Sequence, residues 1–93
     1  MNRELIASNA FVRAARRLLK KRSRAAAEVE AALQALSEDA FDPRLKTHKL
    51  SGELAGIWAC SAGFDLRILF ELVDRDGVQA ILLLTLGTHD EVY

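Results

Sequence analysis

Cysteine, proline, tryptophan, tyrosine and methionine each occur once in this 93-residue chain, and histidine twice. The lone cysteine, Cys60, excludes an internal disulfide. With only two histidines beside it, the chain has too few soft ligands for a structural zinc site. Long apolar runs are missing too: none approaches the roughly 20 residues of a membrane span. The opening MNRELIAS has no signal-peptide core, so the expected location is the cytoplasm. No repeat, low-complexity segment or interdomain linker breaks the chain. What is present, 51% hydrophobic and 28% charged residues, is the composition of an ordinary globular protein and too apolar for disorder. At this length a single domain over residues 1–93 is expected.

The formal net charge is zero, yet the charges are unevenly placed. Residues 1–24 carry eight Lys/Arg against one acid, Glu4, while the other 69 residues carry five bases and twelve acids. A basic face on a neutral protein points to a polyanion or an acidic partner segment. A solvated helix face accounts for such a run equally well.

The pattern of apolar residues begins with a short strand over 3–8. Ser8 then stands as N-cap of a helix over 9–21, with Phe11, Val12, Ala15, Leu18 and Leu19 on one face. Arg13, Arg16, Arg17, Lys20 and Lys21 take the other. Ser23 is placed to cap a second helix over 24–36, with a stripe of Ala25, Val29, Ala32, Leu33 and Leu36. Beyond the polar Ser37–Pro43 connection the period becomes strand-like, with strands expected over 54–61, 65–73 and 78–86. Asp74-Arg75-Asp76-Gly77 supplies hairpin-turn chemistry between the last two. In the middle strand Leu66, Ile68, Phe70 and Leu72 alternate to the core side, leaving Asp65, Arg67, Leu69 and Glu71 on an open face. The strand over 78–86 is apolar on both faces, as one covered on each side would be. The fold class is α+β.

The polar side chains left over are few. His48 and His89 lie beside strands, where loops present groups on a rigid frame, and histidine suits proton transfer near neutral pH. Either one alone is more simply read as a surface residue. Their setting, however, has a familiar order. Asp42-Pro43, His48-Lys49-Leu50-Ser51-Gly52, Asp65-Leu66-Arg67-Ile68-Leu69-Phe70 and Leu86-Gly87-Thr88-His89-Asp90-Glu91-Val92-Tyr93 together resemble the YafQ-like branch of the RelE/ParE superfamily of bacterial toxins. That resemblance implies a β-α-α-β-β-β fold, a helical hairpin on a mostly antiparallel four-stranded sheet. It also implies a toxin of a type II toxin–antitoxin system that enters the ribosomal A site and cuts messenger RNA. The RNA 2′-hydroxyl would be the nucleophile, with no metal or other cofactor. The implied partners are a cognate antitoxin, the ribosome and its message.

Carried onto this chain, the family pattern makes His48 and His89 the acid/base residues, in an order the sequence leaves open. Asp65 would orient or hydrogen-bond, and Tyr93 would stack or hydrogen-bond near a base. Arg67 has its own warrant: it shares the open face with Asp65, where a guanidinium can meet a phosphate or pair with Asp65 or Glu71. Lys46 and Lys49, beside His48, are expected to join it in holding RNA phosphates. The chain also departs from the pattern. Ser61 stands where YafQ-like toxins commonly have a further histidine, Leu66 replaces a frequent Trp, and Trp58 replaces a common base. Cys60 reads as a half-buried structural residue. Two other functions stay open: a ParE-like gyrase poison, which needs no acid/base pair, and a degenerate homologue that only binds its antitoxin.

Overall fold

The hydroxyl of Ser8 accepts the backbone N–H of Phe11 at 3.1 Å, and the chain turns there from its first strand into its first helix. The computed structural model describes residues 2–93. In chain order they form β1 (Leu5–Ala7), α1 (Asn9–Lys21), α2 (Ala25–Glu38), β2 (His48–Lys49), β3 (Trp58–Ala62), β4 (Leu66–Arg75), β5 (Val78–Thr88) and the single turn α3 (His89–Val92). The sheet runs β1-β5-β4-β3-β2, with β1 parallel to β5 and every other pair antiparallel. Both long helices lie over one face, giving the expected α+β architecture. Among the described residues no helix is long and apolar enough to cross a membrane.

Three details of element boundaries and capping differ from the sequence reading. The expected strand over 54–61 begins only at Trp58, because Gly52 (φ 68°) and Gly56 (φ 93°) take left-handed conformations that break an extended run. His48 and Lys49 instead pair with β3 as a fifth, two-residue edge strand. Ser23 does not cap α2: Arg24 occupies the cap position in helical conformation, without a side-chain bond. The connection is held by the Ala25 N–H on the Arg22 carbonyl at 2.9 Å.

The core is closed by Leu36, Cys60, Leu66, Ile68, Phe70 and Ile81, all fully buried. From α1 the buried stripe is Phe11, Ala14 and Leu18, rotated from the expected one, so that Leu19 is left 39% exposed. On β4 the alternation of core-facing residues is as read, although Leu69, expected on the open face, is itself buried. Leu66, Ile68 and Phe70 are buried under the helices, with Leu72 half-buried behind them. The β4–β5 hairpin closes on Asp76 (φ 55°) and Gly77 (φ 81°), the two positive-φ positions of a tight two-residue turn.

β5 explains why its apolar run resists a simple two-residue period. Leu69 pairs with Thr85 but Phe70 pairs with Leu83, so Leu84 is an extra, bulged residue. The bulge shifts the phase. Leu83 and Leu86 both reach the core, whereas Leu82 and Leu84 remain half-buried on the far face. Strict alternation from Ile81 and Leu83 would have sent Thr85 inward and Leu86 out. We therefore expect Leu86→Ala to destabilise the fold by about 2–5 kcal/mol, against about 1 kcal/mol or less for Leu84→Ala. Denaturant midpoints of the two variants measure this, and equal losses would contradict the bulged register.

Candidate functional site

Because Leu66, Ile68 and Phe70 go under the helices, Arg67, Leu69 and Glu71 turn to the opposite side of the sheet, where Arg67 and Glu71 are half-buried and Leu69 is buried. Strand register then lays out two adjacent rows on that side. One holds Ser61, Arg67 and Gly87; the next holds His48, Ala59, Leu69 and Thr85. Two interstrand spacings and two residues of rise put the Cα atoms of His48 and Arg67 about 12 Å apart. That is near enough for an imidazole and a guanidinium to reach one nucleotide.

His48 is placed by the segment before it. Asp42 accepts the Arg44 backbone N–H at 2.9 Å and pairs with the Arg44 guanidinium at 2.8 Å. A single 3-10 turn over Pro43–Leu45 then ends at Lys46 in left-handed conformation, φ 53°. The Lys46 carbonyl lies 3.0 Å from His48 Nδ1. A carbonyl oxygen can only accept, so Nδ1 carries the hydrogen, and in the neutral ring Nε2 keeps its lone pair on an exposed side chain. The Asp-Pro motif and the histidine that follows it are thus one device.

His89 opens α3, which folds back over the end of β5. Glu91 holds that turn by accepting the Thr88 N–H at 2.7 Å, and this contact draws its carboxyl below the usual carboxylate range. Gly87 gives it room, since a Cβ there would stand 2.9 Å from the Glu91 carboxylate. The His89 ring meets Tyr93 edge-on, with centroids 4.5 Å apart, and its Nδ1 is 3.5 Å from Asp90 Oδ1. Partial burial pushes the Tyr93 phenol up, against the opposite pull of the nearby Arg67 charge, so the hydroxyl stays protonated as a donor. His89, Tyr93 and Arg67 therefore gather at one end of the sheet.

The Arg67 guanidinium bonds only to the neighbouring Leu66 carbonyl, at 2.9 Å. Among the described residues no carboxylate comes within ion-pair distance of it. Its pairing with Asp65 or Glu71, open from the sequence, is not formed. Asp65 is instead held by Arg22 through two parallel bonds of 2.9 and 2.8 Å, fastening the end of α1 to the β3–β4 turn. Those bonds keep the Asp65 carboxyl below the usual carboxylate range. Both of its oxygens are thus engaged by Arg22 and by neither histidine.

The lysines divide. Lys46 is exposed and contributes its carbonyl to His48. Lys49 lies on the helix side, its Nζ 5.3 Å from the centre of the Trp58 ring, which in turn meets Phe41 edge-on at 5.2 Å. Trp58 packs against the core, as expected of a sheet-surface residue. Ser61 is half-buried opposite Arg67 and supplies a hydroxyl where the family pattern has an imidazole. Cys60 is fully rather than half buried, and burial pushes its thiol up to about 12, which leaves it inert. Among the described residues no three His, Cys, Asp or Glu side chains cluster as a metal would need. Sequence reasoning missed Arg22: it lies 43 residues from its partner, and nothing local marks it among its basic neighbours.

A helical pair on one side of a small mixed sheet is the architecture expected of the RelE/ParE superfamily. The chain belongs to the YafQ family, bacterial toxins of type II toxin–antitoxin systems, whose family model matches residues 3–93. Solved structures agree in fold. YafQ from E. coli strain BL21(DE3) is 17% identical over 98% of both chains, with a TM-score of 0.78. The toxin of the E. coli DinJ-YafQ toxin–antitoxin complex is 18% identical over 100% of this chain and 99% of that one, with a TM-score of 0.76. A YoeB/ParE toxin from Agrobacterium tumefaciens is 14% identical over 92% and 98%, with a TM-score of 0.75. Among curated protein sequences none matches significantly.

The lowered Asp65 carboxyl makes a statement about stability. A carboxyl depressed in the folded state stabilises fully above its unfolded value of about 3.9, and that contribution is lost as pH falls through the lower folded value. Asp65→Asn should therefore melt below the wild type at neutral pH. The difference should hold down to about pH 4 and close as the pH drops further. Melting curves from pH 7 to 2 check this; a gap that persists unchanged at pH 2 would mean packing rather than charge.

Proposed function

We propose that this toxin is a ribosome-dependent endoribonuclease that cuts messenger RNA with the RNA's own 2′-hydroxyl as nucleophile. The observation that carries the reading is the placement on one side of the sheet of His48, with Nδ1 against a carbonyl, and a guanidinium, Arg67, that forms no ion pair among the described residues. His48 Nε2, with its free lone pair, takes the proton of the 2′-hydroxyl. The 2′-oxygen attacks phosphorus, and Arg67 offsets the charge gathering on the phosphoryl oxygens. The phosphorus–5′-oxygen bond breaks, and protonated His89 delivers a proton to the leaving oxygen. The products are a 2′,3′-cyclic phosphate and a 5′-hydroxyl. Tyr93 positions the His89 ring and adds a donor beside Arg67.

Asp65 serves this chemistry as a positioning residue, through the turn that it fastens to Arg22. Lys46 and the basic face of α1 (Arg13, Arg16, Arg17, Lys20, Lys21) supply phosphate contacts, so binding is steeply salt-dependent. Lys49, on the helix side over Trp58, is the weakest of the phosphate-binding candidates. The natural brake is a cognate antitoxin, as in the E. coli DinJ-YafQ complex. Ser61 favours a second reading. A hydroxyl opposite Arg67 cannot shuttle protons at neutral pH, so a chain that retains antitoxin binding but has lost efficient cutting fits that departure.

Purified ribosomes programmed with a defined message separate the readings. Wild type is expected to cut within codons and to stop when cognate antitoxin is added. His48→Ala and His89→Ala should each lose about 10²–10⁴-fold in rate, and Arg67→Ala about 10²–10³-fold, with folds intact. Uncut message together with inhibited gyrase supercoiling would make the chain a ParE-like poison. Uncut message with antitoxin binding alone would make it the degenerate homologue.

A further inference from the structure

We infer that Phe64 is a specificity-determining residue whose ring stacks on a nucleobase next to the reacting phosphate, an assignment that rests on the nuclease reading above. Of the four phenylalanines, Phe11 and Phe70 are buried and Phe41 leans on Trp58, whereas Phe64 is 93% exposed. A ring left in water forfeits the burial that the others obtain. Yet this one is held firmly. It sits in a three-residue turn between Ala62 and Leu66, which pair with each other. Gly63 before it has a left-handed φ of 64°, and a Cβ at Gly63 would collide with the Glu28 carboxylate of α2. Asp65 after it is clamped by Arg22 at 2.8 Å. A backbone held on both sides of Phe64 lowers the cost of presenting its ring to a partner.

The partner follows from the surroundings. Leu66 pairs with Thr88 as well as with Ala62, so the Phe64 turn and α3 leave the sheet at the same end. Phe64 stands three residues before Arg67, at most about 10 Å along the chain. The other large exposed aromatic at this end is Tyr93, and the remaining neighbours are charged: Arg22, Asp65, His89 and Asp90. A protein partner would ask for a contiguous apolar patch, whereas at this end the exposed large apolar side chains among the described residues are Phe64 and Tyr93. Two exposed aromatic rings beside an arginine that forms no ion pair among the described residues match a single-stranded RNA with splayed bases, which stacks on flat side chains while its backbone meets cations.

The test uses the full chain on message-programmed ribosomes with Phe64→Ala, Phe64→Leu and Phe64→Trp. If the ring stacks, Ala and Leu each lower kcat/KM roughly ten- to hundredfold through KM and redistribute the cut sites. Trp stays within about threefold of wild type, since it keeps an aromatic face. All three should melt with the wild type, because the side chain is solvent-exposed. Wild-type cutting in Phe64→Ala, or in Phe64→Leu, which keeps apolar bulk without a flat ring, overturns the assignment. So does lost antitoxin affinity with cutting intact, which would place the ring in a protein interface. Should the wild type itself leave the message uncut, the nuclease reading fails and this inference with it.

Discussion

β4 lies in the middle of the five strands, and its inner side chains Leu66, Ile68 and Phe70 are completely buried beneath α1 and α2. Burying three such side chains contributes about 6 kcal/mol, comparable with the whole net stability of a small domain. A slip of one residue would expose all three and drive Arg67 into the core, so the register is held from both sides. The outward presentation of Arg67 is therefore a by-product of hydrophobic burial. Through pairing, the same register places Ser61 beside Arg67 and sets His48 one row away.

Around that strand the two ends of the sheet are managed differently. At the His48 edge, a turn closed by Asp42 and Arg44 sets a carbonyl that fixes an imidazole tautomer. At the other end, the Arg22–Asp65 clamp ties α1 to the β3–β4 turn, and Glu91 folds α3 over Gly87. The clamp also fixes the end of the basic helix relative to the open face. A half-exposed ion pair weakens in salt, so salt loosens this attachment.

Local chemistry was legible in the sequence at several places, though not at Ser23, which does not cap α2, nor at Gly52 and Gly56, which break the expected strand. Ser8 caps α1, Asp76-Gly77 turns the hairpin, and the alternation of β4 sorts core from open face. Contacts distant in sequence were not. Nothing in the neighbourhood of Asp65 announces Arg22, and a carboxylate that the family pattern assigns to the reacting centre is engaged in a structural pair. The bulge at Leu84 was hidden because a run of leucines satisfies either phase. Lys49 adjoins His48 in sequence, yet successive strand residues point to opposite faces, which puts it over Trp58. His48, His89, Tyr93 and Arg67 were named from pattern. Their division into a cluster of three and a separate histidine across the sheet needed the fold.

The proposed chemistry turns on one atom that the protein does not own, the 2′-oxygen of the substrate. The most direct measurement is cleavage on programmed ribosomes of a message carrying a single 2′-deoxynucleotide immediately 5′ of the scissile phosphate. The account predicts no cut at that linkage, while the all-ribose message yields a 2′,3′-cyclic phosphate and a 5′-hydroxyl at the same position. Undiminished cutting at the deoxy linkage would contradict it.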